Sequence, residues 1–309
     1  MVTAASVECT WHTQGENIYL QVPKEFDFSH CLRFLNRSPL ECLHSVQDQR
    51  WRKLLKLSDR TVLIEVVMSS GNLKIYPLNT QLTSSEQTTV VSYVWEVFDL
   101  ARDLQPFYEH MKQDPVLGLW CQAYYGLRLI GIPELFEALS WSIIGQQINL
   151  TFAYKLKQRF VHAMGEKLHF EGQDYFLFPV PGKVAKMSPV DFSGWQFSTS
   201  KAQYLIGVAK AVYEVKINKA SLLKIPDEES LASLLQLKGI GPWSAHYVMM
   251  KCLRMTNAYP VGDVGLHNAL KASLGQSAKP SIAELDAFGK RWHPWQAYAT
   301  FYLWHSLIK

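Results

Sequence analysis

The stretch Leu237-Lys238-Gly239-Ile240-Gly241-Pro242-Trp243-Ser244-Ala245 decides how this chain folds. An amphipathic run from Asp227 stops at a Gly-x-Gly turn, and a second helical run starts at once with proline in its first turn. The result is a helix, a tight hairpin and a helix. Glycine at 239 and 241 lets the backbone take positive φ and approach another surface, while the unpaired amides that open the second helix point at the same spot. A phosphate fits there. A plain helix–helix connection uses glycine for the same steric reason, and Gly-x-Gly alone does not separate the two.

Downstream lies Tyr259-Pro260-Val261-Gly262-Asp263-Val264-Gly265-Leu266, with Asp263 between two glycines and ahead of a helical run from Val264. Taken alone, Asp263 reads as an N-cap. Following a hairpin that can grip a phosphate, it also reads as a carboxylate set beside a polyanion that should repel it. That placement is useful when the carboxylate faces a cation formed during a reaction.

Working outward, helical period covers Pro106 to Lys112, Pro133 to Gln146, Leu150 to Met164, Thr199 to Val215, Asp227 to Leu237, Trp243 to Met255, Val264 to Ser273, Ser281 to Lys290 and Trp295 to Ile308. The region 101–309 is therefore expected to be all-α. Glu166 to Ser198, rich in proline and glycine, reads as one long irregular connection with a short helix at Lys183 to Met187. Residues 1–100 read as a β-rich domain. Ile18 to Val22 alternates, Thr61 to Val67 is β-branched, and Gly71-Asn72 before Leu73 to Tyr76 signals a hairpin in an antiparallel sheet. Ser84 and Gln87 are spaced as a capping box for a helix carrying Val90, Val91, Val94, Val97 and Phe98. The expected class is α+β.

Composition fits that class: 309 residues at about 150 per domain give two domains, with 48% hydrophobic and 19% charged residues. Disordered and fibrous chains are excluded. No run approaches the ~18 apolar residues of a membrane span, and Met1 to Gln14 lacks a secretory signal, so the protein is expected inside the cell, in the cytoplasm or with the DNA. Cys9, Cys31, Cys42, Cys121 and Cys252 are scattered without C-x-x-C pairing, as reduced structural thiols would be. The net charge is +4. Between Ser198 and Ala258, Lys201, Lys210, Lys216, Lys219, Lys224, Lys238, Lys251 and Arg254 face only Glu214, Asp227, Glu228 and Glu229, so that window holds the whole surplus. It suits a polyanion partner or a solvated helix face.

The hairpin followed by Pro260 to Leu266 resembles the helix-hairpin-helix, Gly/Pro loop and aspartate signature of DNA glycosylases, in particular the 3-methyladenine DNA glycosylase II subgroup. Phe136 to Asn149, Phe178 to Pro181, Lys201 to Tyr204, and Arg291 to Tyr298 with Trp304 continue the likeness. It spans most of residues 100 to 309. The first hundred residues resemble the amino-terminal domain of this subgroup and of the 8-oxoguanine glycosylases only in general character.

The resemblance implies a monomeric base-excision-repair enzyme that hydrolyses the N-glycosidic bond of alkylated purines such as 3-methyladenine and 7-methylguanine in double-stranded DNA. Asp263 would be the catalytic carboxylate, stabilising an oxocarbenium ion. A unit charge pair at ~4 Å in an effective dielectric of about 20 is worth about 4 kcal/mol, or roughly three decades of rate. An alkylated purine is already cationic and needs no general acid to leave. Trp243 stands where relatives with lyase activity carry a Schiff-base lysine, which implies a monofunctional enzyme that leaves the strand uncut. Trp243, Tyr247 and Trp304 match aromatics of the base pocket into which the nucleotide is flipped, where a cationic base gains ~0.5 to 2 kcal/mol from cation–π attraction. With ten tryptophans in the chain, core packing is the competing reading of each.

Lys238, Gly239, Ile240 and Gly241 would hold DNA phosphate, and family hairpins often seat a monovalent cation between carbonyls such as those of Leu237 and Gly239 and the phosphate. Gln146, Gln147 and Ile148, ahead of the cap residue Asn149, match the loop that fills the space left by the flipped base, with Gln147 the expected wedge; an ordinary helix junction is the alternative. No redox cofactor, catalytic metal or iron–sulfur cluster is implied. Two other activities fit parts of the pattern: an 8-oxoguanine or other oxidised-base glycosylase, which Trp243 disfavours, and a non-catalytic helix-hairpin-helix protein that only grips duplex DNA.

Overall fold

The computed structural model describes residues 7–308. Six antiparallel strands form one sheet in the order β1-β2-β6-β5-β4-β3, from β1 (Trp11–Gln14), β2 (Asn17–Gln21), β3 (His44–Gln47), β4 (Arg50–Lys56), β5 (Thr61–Ser69) and β6 (Asn72–Pro77). Helix α1 (Phe28–Leu35), capped by the Asp27 carboxylate on His30 N, lies between β2 and β3 in sequence. The expected hairpin sits one residue earlier than the Gly71-Asn72 reading. Ser70 and Gly71, both at positive φ, are the turn, and Asn72 already pairs with Ser69.

Helix α2 (Ser84–Val97) buries Val90, Val91, Val94 and Val97, as read. Its capping box is Thr83 with Glu86, not Ser84 with Gln87. The two patterns overlap, and the Glu86 carboxylate wins because it accepts from Thr83 N at 2.8 Å and also pairs with Arg60.

Helices then follow in close succession: α3 (Gln105–Met111), α4 (Leu117–Ala123), α5 (Leu135–Ile144) and α6 (Leu150–Met164). The connection expected to be irregular instead holds a hairpin, β7 (Lys167–Phe170) and β8 (Gln173–Phe176), then α7 (Pro181–Val184) and a 3-10 segment, Pro189–Trp195. The hairpin packs on β4. Tyr175 joins Leu54 and Leu63 in a small apolar cluster, while Arg52 reaches Glu171 and Lys56 reaches Glu166. Sheet pairing there supplies backbone partners that the proline-rich surroundings could not.

The remaining helices are α8 (Thr199–Tyr213), α9 (Lys219–Leu222), α10 (Asp227–Leu235), α11 (Pro242–Lys251), α12 (Val264–Ser273), α13 (Ile282–Trp292) and α14 (Gln296–Ser306). One apolar core runs from the sheet into these helices, and its packing is continuous across residue 100. Helix α14 sits at its centre, buried from Gln296 to Leu303 and again at His305, and Phe301 touches Phe34 of α1 with ring centres 4.4 Å apart. No helix among the described residues is long and apolar enough to cross a membrane.

Candidate active site

The hairpin between α10 and α11 takes its shape from two different glycine requirements. Gly239 has φ +92, and a Cβ there would lie 2.3 Å from Tyr204 Cγ on α8, so only glycine fits. Gly241 departs from the sequence expectation: its φ is −93 with ψ −179, an extended N-cap that any residue adopts, with nothing near its Cβ position. Its contribution is an open face at the start of α11. There, among the described residues, the amides of Gly241 and Trp243 have no backbone acceptor, and Lys238 is exposed beside them.

The loop after α5 is pinned to this hairpin. The Gln146 side chain donates to Gly239 O at 2.8 Å and to Ser244 Oγ at 2.9 Å. Lys201 Nζ donates to the carbonyls of Ile144 and Gln146 at 2.6 and 2.9 Å, closing the end of α5. Gln146 thus faces inward, contrary to its expected place against a ligand, and Ile148 packs partly into the core. Gln147 alone of the three stands at an exposed tip, held at φ +55, and Asn149 caps α6 through Phe152 N at 2.8 Å. Leu237 O accepts from Ile240 N, so the carbonyls of Leu237 and Gly239 each keep one lone pair for the cation that the resemblance implies.

Asp263 is the N-cap of α12, its Oδ1 accepting from Leu266 N at 2.7 Å. Two indoles also aim at the carboxylate: Trp304 Nε1 donates to Oδ1 at 2.7 Å and Trp243 Nε1 to Oδ2 at 2.9 Å. Three N–H donors from α11, α12 and α14 therefore fix one half-buried carboxylate. Gly265 is required beside it, since a Cβ there would sit 2.9 Å from Asp263 Oδ1 and 3.1 Å from the Trp304 indole. The rings of Trp243, Tyr247 and Trp304 form a row, with centres 5.6 and 6.2 Å apart and planes inclined by 33° and 34°. Tyr247 is buried, and desolvation pushes its hydroxyl pKa well above the ordinary phenol value.

The charge surplus of the window from Ser198 to Ala258 is largely internal. Lys201 closes α5, Lys219 pairs with Glu96, Lys251 is buried, and Arg254 donates to the carbonyls of Leu129 and Val97. Lys210, Lys216, Lys224 and Lys238 remain exposed.

Sequence reading missed a cavity between the sheet and the helices, beyond Tyr247, where Glu41 and Lys157 form a buried pair at 2.6 Å. A signal was present: Lys157 and Lys251 both fall on apolar stripes, beside Ala153 and Val161 and one turn after Tyr247.

Comparison with known proteins gives two family matches. Residues 140–294 match the HhH-GPD superfamily of base excision DNA repair proteins, and residues 17–134 match the AlkA N-terminal domain. A DNA-3-methyladenine glycosylase of Bacillus subtilis is 37% identical over 96% of this chain and 99% of its own length. DNA-3-methyladenine glycosylase 2 of Escherichia coli is 23% identical over 91% and 94%. Among solved structures, a 3-methyladenine DNA-glycosylase from Archaeoglobus fulgidus superposes with a TM-score of 0.80 at 22% identity, covering 93% of this chain and 96% of that one.

Proposed function

The chain belongs to the HhH-GPD superfamily of base excision DNA repair proteins, and from that membership we propose that it is a monofunctional DNA glycosylase that hydrolyses the N-glycosidic bond of alkylated purines in duplex DNA. The observation that carries this reading is the Asp263 carboxylate, held by two indole N–H groups and one helix-start amide. It stands close to a hairpin whose free amides suit a phosphate.

The flipped nucleotide brings its sugar to Asp263. The electron pair of the C1′–N bond leaves with the base, and positive charge grows on C1′ and the ring oxygen, where the fixed carboxylate opposes it. Water then adds to C1′ and loses a proton. A purine cationic through alkylation departs neutral, so no general acid is required. Trp243 offers an N–H and a ring face but no amine, so no Schiff base forms and the abasic strand stays whole. Gly239, Ile240, Gly241 and Lys238 grip the backbone, Gln147 enters the duplex, and Trp243, Tyr247 and Trp304 line the base pocket. The enzyme acts inside the cell as a monomer, and the 37% identical relative named for 3-methyladenine supports the choice of lesion.

The test is base release from methylated duplex DNA. Free 3-methyladenine and 7-methylguanine with no strand breaks before alkali support the reading. Breaks before alkali would remove the monofunctional part, and duplex binding without base release would remove the catalytic part.

A further inference from the structure

A carboxylate that opposes a sugar cation has two needs that conflict. It must be fixed in one orientation, and it must keep its full negative charge. A lysine or arginine beside it would meet the first need and cancel the second. At Asp263 all three donors are neutral: the amide of Leu266 and the indole N–H groups of Trp243 and Trp304. An indole donates one hydrogen bond, accepts none and carries no charge.

The acceptor positions of the carboxylate then show which atom is left to act. A carboxylate offers about four in-plane lone pairs, two on each oxygen. Oδ1 receives Leu266 N and Trp304 Nε1, both at 2.7 Å, and is filled. Oδ2 receives Trp243 Nε1 at 2.9 Å, so among the described residues one position stays open, and it belongs to Oδ2. Packing holds both indoles in place. Trp304 stands on α14 between the buried Leu303 and His305, and the buried Tyr247 ring lies between the two indoles in the aromatic row. At its other end the Trp243 ring reaches Gly145, whose Cβ position is 3.9 Å from Cη2, so the loop that carries Gln147 bounds it there.

We propose that Trp243 and Trp304 are positioning residues whose neutral N–H groups aim the open position of Asp263 Oδ2 at C1′ of the flipped nucleotide, and that they govern the rate through Asp263 rather than by stacking on the base. The inference rests on the glycosylase reading and deepens it. Its effect falls on the sugar, which every alkylated nucleotide shares, so it is the same whichever purine leaves.

The experiment measures single-turnover release of 3-methyladenine and 7-methylguanine from methylated duplex DNA over a range of enzyme concentrations. The proteins are the full chain, Trp243→Phe, Trp304→Phe, Asp263→Asn and the two double variants, each with a melting curve. Phenylalanine keeps a ring and loses the N–H. Each single Phe variant should lower the rate at saturating enzyme about ten- to a hundredfold, as a carboxylate misplaced by up to about 1 Å would. The factor should be equal for both bases, and the half-saturating enzyme concentration should not move. In the Asp263→Asn background the same substitutions should cost no further rate, because the charge they aim is gone. An unchanged rate in the single variants, a loss repeated in full in the Asn background, or weaker half-saturation at an unchanged limiting rate overturns the proposal and makes the indoles walls of the base pocket alone. The two positions give two independent cycles, so a variant that fails to fold leaves the other to decide. Release of neither base by the full chain overturns the glycosylase reading itself.

Discussion

On the proposed mechanism, Asp263→Asn should separate folding from catalysis, because the carboxylate would add a catalytic charge to the cap and indole contacts that it makes. Oδ1 accepts from Leu266 N and Trp304 Nε1, and Oδ2 accepts from Trp243 Nε1. The asparagine carbonyl will take the Oδ1 place, keeping the cap and one indole, since asparagine caps as well as aspartate. Its NH2 then faces the Trp243 N–H, donor against donor. Orphaning that indole costs about 1–3 kcal/mol, which lowers Tm by about 2–10 °C in a chain this long. Loss of the charge removes about 4 kcal/mol of transition-state stabilisation, about a thousandfold in base release. Trp243→Phe in the same chain removes the opposing donor, so the double variant should regain most of the Tm and none of the rate. Melting curves and single-turnover base release on the wild type and the two variants measure both. If Asp263→Asn releases base within about tenfold of wild type, Asp263 is only a cap and the proposed chemistry is wrong.

Three further outcomes follow from other contacts. Gly239→Ala forces a Cβ to 2.3 Å from Tyr204 in a left-handed backbone, so it should lose about 2 kcal/mol or more in urea unfolding and weaken duplex binding as well. Gln147→Ala should lower duplex affinity and base release with little change in Tm, whereas Gln146→Ala, which orphans Gly239 O and Ser244 Oγ, should cost about 1–2 kcal/mol of stability; the reverse pattern would show that Gln146 is the duplex contact. His305 is buried with both ring nitrogens unpaired among the described residues, and desolvation pushes its pKa down to about 3. The unfolded chain takes up that proton below about pH 6.5 and the native one refuses it, so stability present above pH 6.5 is lost as the pH falls towards 3. Melting temperature against pH should flatten in His305→Phe, and an unchanged slope would refute the assignment.

The parts of the molecule that could be read from sequence are those governed by local rules. The α10 to α11 hairpin, the Asp263 cap and the β5–β6 turn depend on glycine, proline and capping residues within a few positions. Two hairpins were hidden, one because its turn has no glycine and the other because its single glycine lies among the many prolines and glycines of residues 166–198. Asp48-Gln49 joins β3 to β4, and Glu171-Gly172 joins β7 to β8, with non-glycine residues at positive φ in each. Tertiary pairing pays for that strain, and no local pattern announces it. The cavity beyond Tyr247 was equally hidden, since Glu41 and Lys157 lie 116 residues apart.

Helix α8 shows how the readable and unreadable parts depend on each other. Lys201 and Tyr204 belong to a matched segment with no evident chemistry, and the half-buried Lys201 ammonium is bound to two carbonyls. Yet Lys201 closes the end of α5, and Tyr204 fills the space that forbids a side chain at Gly239. Gln146, fixed by that closure, then binds Gly239 O. Gln147 can stand rigidly at its exposed tip because the residue before it is held from two sides, so the geometry of the loop and hairpin is set from α8 before any ligand arrives. Disturbing Lys201 should therefore displace Gln147 and Gly239 together, although its ammonium bonds to Ile144 and Gln146. Lys201→Met should lower duplex affinity by more than loss of one charge, and a salt dependence of binding that differs from wild type by only one ion would show that α8 acts through charge alone.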